Sequence, residues 1–384
     1  MGDKDKYLID IAHEKTYQNQ FDDYHKEFSK WRTDEKNPYG YNFVHDVREH
    51  TYVDGEGYFL KSAEAAERKA LVKCISLLGV IMLVMTAIDG IASMMFYRLF
   101  QDPAAYSIYF SSIKSNSISI SPSLTLIYGC MMLLKHLLGL WLFIHFTKIP
   151  SKVAVPLPKG AKLSKSGIFL MFVIMVFGRV SNYFLHIVFG WINIDGVYSL
   201  MIHNPDDLVS DIIYVVFNCI LVSIVSEILF RGAIMQTFRQ FGDTFAIMIS
   251  SIAFSLTFYD LSSIFYAVLC SAALGLFTLR TGSLKSAIIM RVTSACASFA
   301  LSCLVLDNYS SGRIVEVFIS AFIIGVAAFI FARLMCNGKW AFVIRDDPSE
   351  ITNASKLRIF FTNIPTVIWL IGVLGMILLI MRFV

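Results

Sequence analysis

The feature that most constrains this chain is a train of apolar segments that begins near residue 71 and runs almost to the last residue. Nine spans stand out, at about 71–98, 123–147, 167–193, 208–238, 244–259, 262–280, 284–306, 314–336 and 359–382. Most reach the roughly 20 residues that a helix needs to cross about 30 Å of hydrocarbon. Lipid offers no partner to a backbone N–H or C=O, so segments of this kind fold as helices that satisfy themselves. The fifth and sixth are short and nearly contiguous, which predicts a tight helical hairpin deep in the molecule. The expected fold is all-α, a polytopic membrane helix bundle of about 8–9 transmembrane helices.

Composition agrees. The chain is 56% hydrophobic with a mean hydropathy of +0.62, outside the range of ordinary soluble domains. Its 32 Phe and 16 Met suit lipid-facing and interhelical packing, and a net charge of only +4 argues against a nucleic-acid partner. Lys148, Lys152, Lys159, Lys162 and Lys165 follow the second span, whereas the stretch from Asn193 to Asp207 has no Lys or Arg. The positive-inside rule then puts the N-terminus in the cytosol and, with nine spans, the C-terminus outside. An integral protein of a bacterial plasma membrane is expected.

Residues 1–70 are polar yet rich in Tyr and Phe, which argues against full disorder. Tyr7 to Trp31 has helical character and Asn37-Pro38-Tyr39-Gly40 reads as a turn. The region is either a cytosolic appendage or a segment that packs on the membrane face. It does not read as a signal peptide, and Lys6 stands where a myristoylation signal needs Ser or Thr. His45-Asp46-Val47-Arg48-Glu49-His50 lacks the H-E-x-x-H spacing of a metal helix. The seven cysteines are scattered without a C-x-x-C pair, so no metal, cofactor or disulfide framework is expected.

The chemistry-bearing segment is Ser226-Glu227-Ile228-Leu229-Phe230-Arg231, near the end of the fourth span. Its carboxylate and guanidinium, spaced i,i+4, share one helix face. Each ionisable group in hydrocarbon costs at least ~2.5 kcal/mol on insertion scales, so such groups mark a partner or a cavity. Arg291, in mid-span on the seventh segment, needs an anion too and is expected to pair with Glu227. Asp89, Lys135, His136, His145, Arg179, His186 and Asp211 are further intramembrane polar residues, read mainly as hydrogen-bonded core groups.

Residues 226–300 resemble the core of the CAAX protease and bacteriocin-processing family of intramembrane proteases, also called the Abi family. The family's Glu-Glu-x-x-x-Arg motif, typically followed by Gly, is matched by Ser226-Glu227-Ile228-Leu229-Phe230-Arg231-Gly232. Its Phe-x-x-x-His falls on Phe254-Ser255-Leu256-Thr257-Phe258. A Leu-Arg-Thr-Gly-Ser-Leu-x-x-Ala-Ile run is matched by Leu279 through Ile288, and His-x-x-x-Asn or Asp lands on Arg291-Val292-Thr293-Ser294-Ala295. Composition and the apolar spans divide the chain into a polar cytosolic N-terminal region 1–70, N-terminal transmembrane helices in 71–200 and C-terminal transmembrane helices in 311–384, and the resemblance implies a CAAX-protease-like membrane core in 201–310.

The resemblance also implies that the first Glu activates water while the two His residues orient it and stabilise the oxyanion. Those tasks need a base near neutral pKa and polarising donors. Ser226, Phe258, Arg291 and Ala295 replace these groups, and only Glu227 and Arg231 are retained. Phenylalanine polarises nothing, and an arginine cannot act as a base. No histidine follows His203, so no nearby substitute is expected. Ser226 as a nucleophile lacks a base, since Glu227 points about 100° away around the helix. The expected function is a catalytically inactive, CAAX-protease-like membrane protein that binds a membrane or lipidated peptide or protein as scaffold, regulator or immunity-type factor. The alternatives are an active intramembrane endopeptidase using Glu227 with relocated groups, Asp260 among them, and a membrane transporter. For the last, no inverted repeat is visible.

Overall fold

The computed structural model describes residues 15–41 apart from 35, then 52–53, 57–58, 63–100, 122–157, 208–307 apart from 260, and 351–382, with isolated helical positions at 173 and between 315 and 336. Within these residues the fold is helical, apart from a two-residue antiparallel hairpin that pairs Tyr52 with Tyr58 and Val53 with Gly57. The helices are α1 (Lys15–Thr33), α2 (Ala63–Phe100), α3 (Pro122–Thr147), the short α4 (Ser151–Ala154), α5 (Leu208–Phe241), α6 (Asp243–Ser255), α7 (Leu261–Thr281), α8 (Leu284–Asp307), α9 (Asn353–Thr362) and α10 (Ile364–Arg382).

Among the described residues three stretches are long and apolar enough to cross a membrane, Glu64–Ala92, Thr125–Thr147 and Leu208–Phe241, and the bent pair α9 and α10 makes a fourth if it is one broken span. The fifth and sixth apolar spans form the expected hairpin of shorter helices, turning at Tyr259 in the left-handed conformation (φ 54°). The ninth span requires correction. It is not one helix, because α9 and α10 meet at 69°. Asn363 is extended between them, and Pro365 in the first turn of α10 cannot continue an incoming helix without clashing one turn back. The third span lies outside the described residues except at Val173, and the eighth is described only at isolated helical positions.

Small residues set the helix contacts. A Cβ on Gly79 of α2 would press on the backbone of Pro365 and Thr366, so α2 and α10 cross in near backbone contact. Gly129 of α3 abuts Phe217 and Gly139 abuts Leu229, so α3 and α5 run parallel. In α8 the order reverses: Leu284 lies by Gly232, and Ala295 accepts a hydrogen bond from the Cys219 thiol at 3.8 Å. An aromatic cluster that includes Phe230, Phe238, Phe241, Phe245 and Phe254 fills the space among α5 and α6.

Buried charge joins helices that are distant in sequence. Glu67 of α2 pairs with Lys356 of α9 at 3.2 Å, both 1% exposed. The Lys356 ammonium also donates to the Phe241 carbonyl, and Glu67 accepts the Ile351 N–H at 3.3 Å. Farther along α2, Asp89 pairs with Lys135 of α3 at 3.0 Å and accepts the Tyr259 hydroxyl at 2.7 Å.

The polar N-terminal region packs on the bundle over its described part. Tyr24, Phe28 and Trp31 share one face of α1. The Tyr24 hydroxyl donates to Gln236 at 2.5 Å and accepts from Arg239 at 2.8 Å, and the Trp31 indole donates to the Thr147 carbonyl at 2.9 Å. Burial pushes the Tyr24 hydroxyl above its ordinary range, partly opposed by the Arg239 charge, so it stays a donor. After the expected turn at Asn37 to Gly40, Gln240 grips the strap twice, accepting the Tyr41 N–H and donating to the Tyr39 carbonyl, both at 2.8 Å.

Glu67→Gln is expected to cost about 3–5 kcal/mol, because it strands a buried ammonium. Glu67→Gln with Lys356→Met should recover most of the loss. Thermal unfolding of the detergent-solubilised protein, followed by circular dichroism, measures both.

Candidate functional site

Helix α5 carries the retained acidic and basic residues, and it is not uniform. Val215–Val222 and Ile228–Ile234 are π-helical, with an α-helical turn, Ser223–Glu227, between them. Wide i→i+5 turns are rare and concentrate at functional sites. Glu227 sits at the last α-helical position and Arg231 inside the second π segment.

Glu227 and Arg231 are both 0% exposed, with Oε1 and Nη1 3.1 Å apart. Neither group has an in-line hydrogen-bond partner. The contact is therefore one of charge against charge within a single helix. The Arg231 guanidinium also lies 4.5 Å from the centre of the Phe254 ring, a cation–π distance.

Arg291 does not pair with Glu227, which corrects the expectation from sequence. Its guanidinium lies 5.0 Å from the Phe254 ring centre and 6.0 Å from that of Phe258. Glu227 is already taken by a partner one turn away on its own helix, and the two aromatic faces offer Arg291 an alternative seat. Both arginines thus flank Phe254, and that ring packs edge-on against Phe258 at 5.3 Å. Ser226 is buried and spends its hydroxyl on the Ser223 carbonyl at 3.0 Å. Ala295 presents only its backbone carbonyl, to Cys219. Asp260 lies outside the described residues, as do Arg179, His186 and the His45–His50 segment. Among the described residues no cluster of His, Cys, Asp and Glu is suited to hold a metal ion.

One group near this site was missed by reading α5 to α8 alone. Helix α3 delivers His136, buried at 6% exposure and within electrostatic range of Arg291. The contacts of Gly129 and Gly139 set His136 level with the turn that ends in Ser226 and Glu227. Its Nδ1 lies 2.8 Å from the Met132 carbonyl, which can only accept. That bond places the proton on Nδ1 and leaves Nε2 as an acceptor. The sequence signal was present as Lys135-His136 within an apolar span, but their level relative to Glu227 depends on helix packing.

Two family landmarks have local physical reasons. A Cβ at Gly232 would run into the Ala154 carbonyl oxygen, so only glycine lets α4 lie this close to α5. Gly282 takes φ 61° and ends α7, as left-handed glycines end helices. The chain then re-enters α8 with the Leu284 N–H donating to Pro156 at 2.9 Å.

A helical bundle with an ionisable motif buried in an apolar helix, followed by a helical hairpin and an arginine-bearing helix, is that of an integral membrane protein. The sequence profile of a specific family, the Rce1-like type II CAAX prenyl endopeptidases, matches residues 208–297, in agreement with the four landmarks. No curated protein and no solved structure matches the chain.

Gly232→Ala should force α4 off α5 and destabilise the protein by about 1–3 kcal/mol, the usual range for overpacking. A lower melting temperature in the same detergent, with the helical signal retained before melting, is the expected observation.

Proposed function

We propose that this protein is a catalytically silent relative of the CAAX proteases that holds a membrane or lipidated peptide or protein in the former substrate site, as a scaffold, regulator or immunity-type factor. The observation that carries the reading is the state of Glu227. Its carboxylate is fully buried against Arg231, and Phe258, Arg291 and Ala295 stand where the resemblance calls for two His residues and an Asn as water-orienting and oxyanion-stabilising groups. A hydrolase of this type needs a base, a water and donors aimed at developing charge. Loss of a single such donor costs 10²- to 10³-fold in acyl-transfer enzymes, and here several are replaced together.

A second reading, an active intramembrane endopeptidase with relocated groups, is favoured by one observation. His136 reaches the level of Glu227 from another helix with Nε2 left as a hydrogen-bond acceptor. In that case the imidazole replaces the histidine that position 258 lacks, acting from α3.

The two readings separate in one assay. Purified protein in proteoliposomes is mixed with a farnesylated CAAX peptide, and release of the terminal tripeptide is followed by mass spectrometry. The expected result is no release above that of empty liposomes. Release abolished by both Glu227→Gln and His136→Ala would overturn the proposal in favour of the second reading.

A further inference from the structure

Glu227 and Arg231 are both 0% exposed, so nothing reaches the pair in the arrangement observed. A bundle that holds a peptide there needs a second, open arrangement. The segment that lies against the pair from outside α5 is α4, four residues long. Its Ala154 carbonyl oxygen fills the space at Gly232, one residue from Arg231 and inside the second π-helical segment. Just beyond α4, Pro156 accepts the Leu284 N–H at the start of α8, and Val155 packs on the cluster of Cys270, Leu284 and Met290. Helix α4 therefore touches both helices that carry the charged residues of the site.

A helix of one turn does not hold itself, and α1 presses on this one. Tyr24 and Trp31 form a single apolar cluster with Ile149, Val153 and Ala154, the last two fully buried. The far end of the seat is polar. Arg239 lies over the Tyr24 ring at 5.5 Å and is itself held by Asp243 at 2.7 Å. These contacts are reversible in kind. Helix α1 docks by one face, and His25, Lys26, Ser29 and Lys30 are exposed on the other. Such an amphipathic helix draws most of its stability from the surface it packs on, so α1 folds as it docks. The following strap stays gripped by Gln240, and its Tyr41 stacks on Phe241 at 6.0 Å. A released α1 would thus remain tethered beside its seat, which makes relatching intramolecular.

We infer that α1 is an autoinhibitory latch. Docked, it presses α4 onto Gly232 and closes the Glu227–Arg231 pair. Released, it lets α4 lift and opens the pair from the Arg239 end of α5. That the opening admits a peptide rests on the peptide-binding reading above; the coupling of α1 to α4 and α5 does not.

The test follows amide hydrogen exchange by mass spectrometry on the full-length protein in phosphatidylcholine nanodiscs. Tyr24→Ala with Trp31→Ala opens the latch. Lys26→Ala with Lys30→Ala, on the exposed face of the same helix, is the control and should match the wild type. Opening should speed exchange in α1 itself, and by about tenfold at Val153, Ala154 and Val155, whose N–H groups close α4, and in Ile228–Ile234. Protection of residues 71–85 in α2 should persist, which separates opening from general unfolding. Arg239→Gln leaves both aromatics in place and should give a smaller rise in the same segments. A farnesylated CAAX peptide carrying a benzophenone then reports access as photo-crosslinked yield. The open variant should capture about tenfold more than the wild type, since a closed fraction lowers apparent affinity in proportion.

If α1 is freed and residues 153–155 keep their protection, the latch is overturned. It is overturned too if 153–155 loosen while Ile228–Ile234 stays protected, because α4 then does not guard the site. An α1 that stays protected without its two aromatics has the same effect. Faster exchange in both segments with no extra capture upholds the latch and removes the peptide-binding reading instead.

Discussion

Charge in a medium that cannot solvate it organises this protein. At two places among the described residues an ionisable group in the apolar part of the chain is answered by a neighbouring helix. Two such answers lie on α2. Glu67 and Asp89 are 22 residues apart, about 33 Å of helix, and each is met by a lysine from a different helix. Helix α2 is thus fastened near both ends, to α9 at one and to α3 and Tyr259 at the other. The third pair, Glu227 with Arg231, joins no helices at all, because both members lie on α5. Its role is local, and Arg291 is seated against Phe254 and Phe258 rather than in an ion pair.

That difference separates frame from site. The frame pairs are reinforced by hydrogen bonds from Ile351, Tyr259 and the lysines themselves. The site pair is held by proximity, in a helix whose turns widen on both sides of it. A well-satisfied network rigidifies its surroundings, and a poorly satisfied one is costly in a low-dielectric interior. The aromatic wall of Phe254 and Phe258 serves both arginines without neutralising either.

Much of this was readable in the sequence, for identifiable reasons. The apolar spans declared a helical membrane bundle, because lipid leaves little other choice. The four landmarks located the core at α5 to α8, and Gly232 and Gly282 were legible because their causes are local: one close backbone approach and one left-handed turn. The pairing of Arg291 was misjudged because charge alone suggested Glu227, whereas the aromatic ring that seats it is 37 residues away in sequence. The partners of Asp89 and of Tyr24 lie 46 and more than 200 residues away, and no periodicity encodes such contacts. The π-helical turns were also invisible, since they arise from packing against neighbours rather than from the composition of Val215–Val222 or Ile228–Ile234. The bend at Asn363 did have a signal, Pro365, within a span that hydropathy alone read as continuous.

The Glu67–Lys356 pair has a consequence for biosynthesis. Glu67 is made early, and its counterion is added nearly 290 residues later. At roughly 5–20 residues per second, the ribosome leaves this carboxylate waiting about 15–60 s at the edge of the bilayer. During that interval α2 must be shielded by protonation of Glu67, by water at the interface or by the insertion machinery. This contact closes only when α9 arrives, so a segment made late completes an interaction begun by α2.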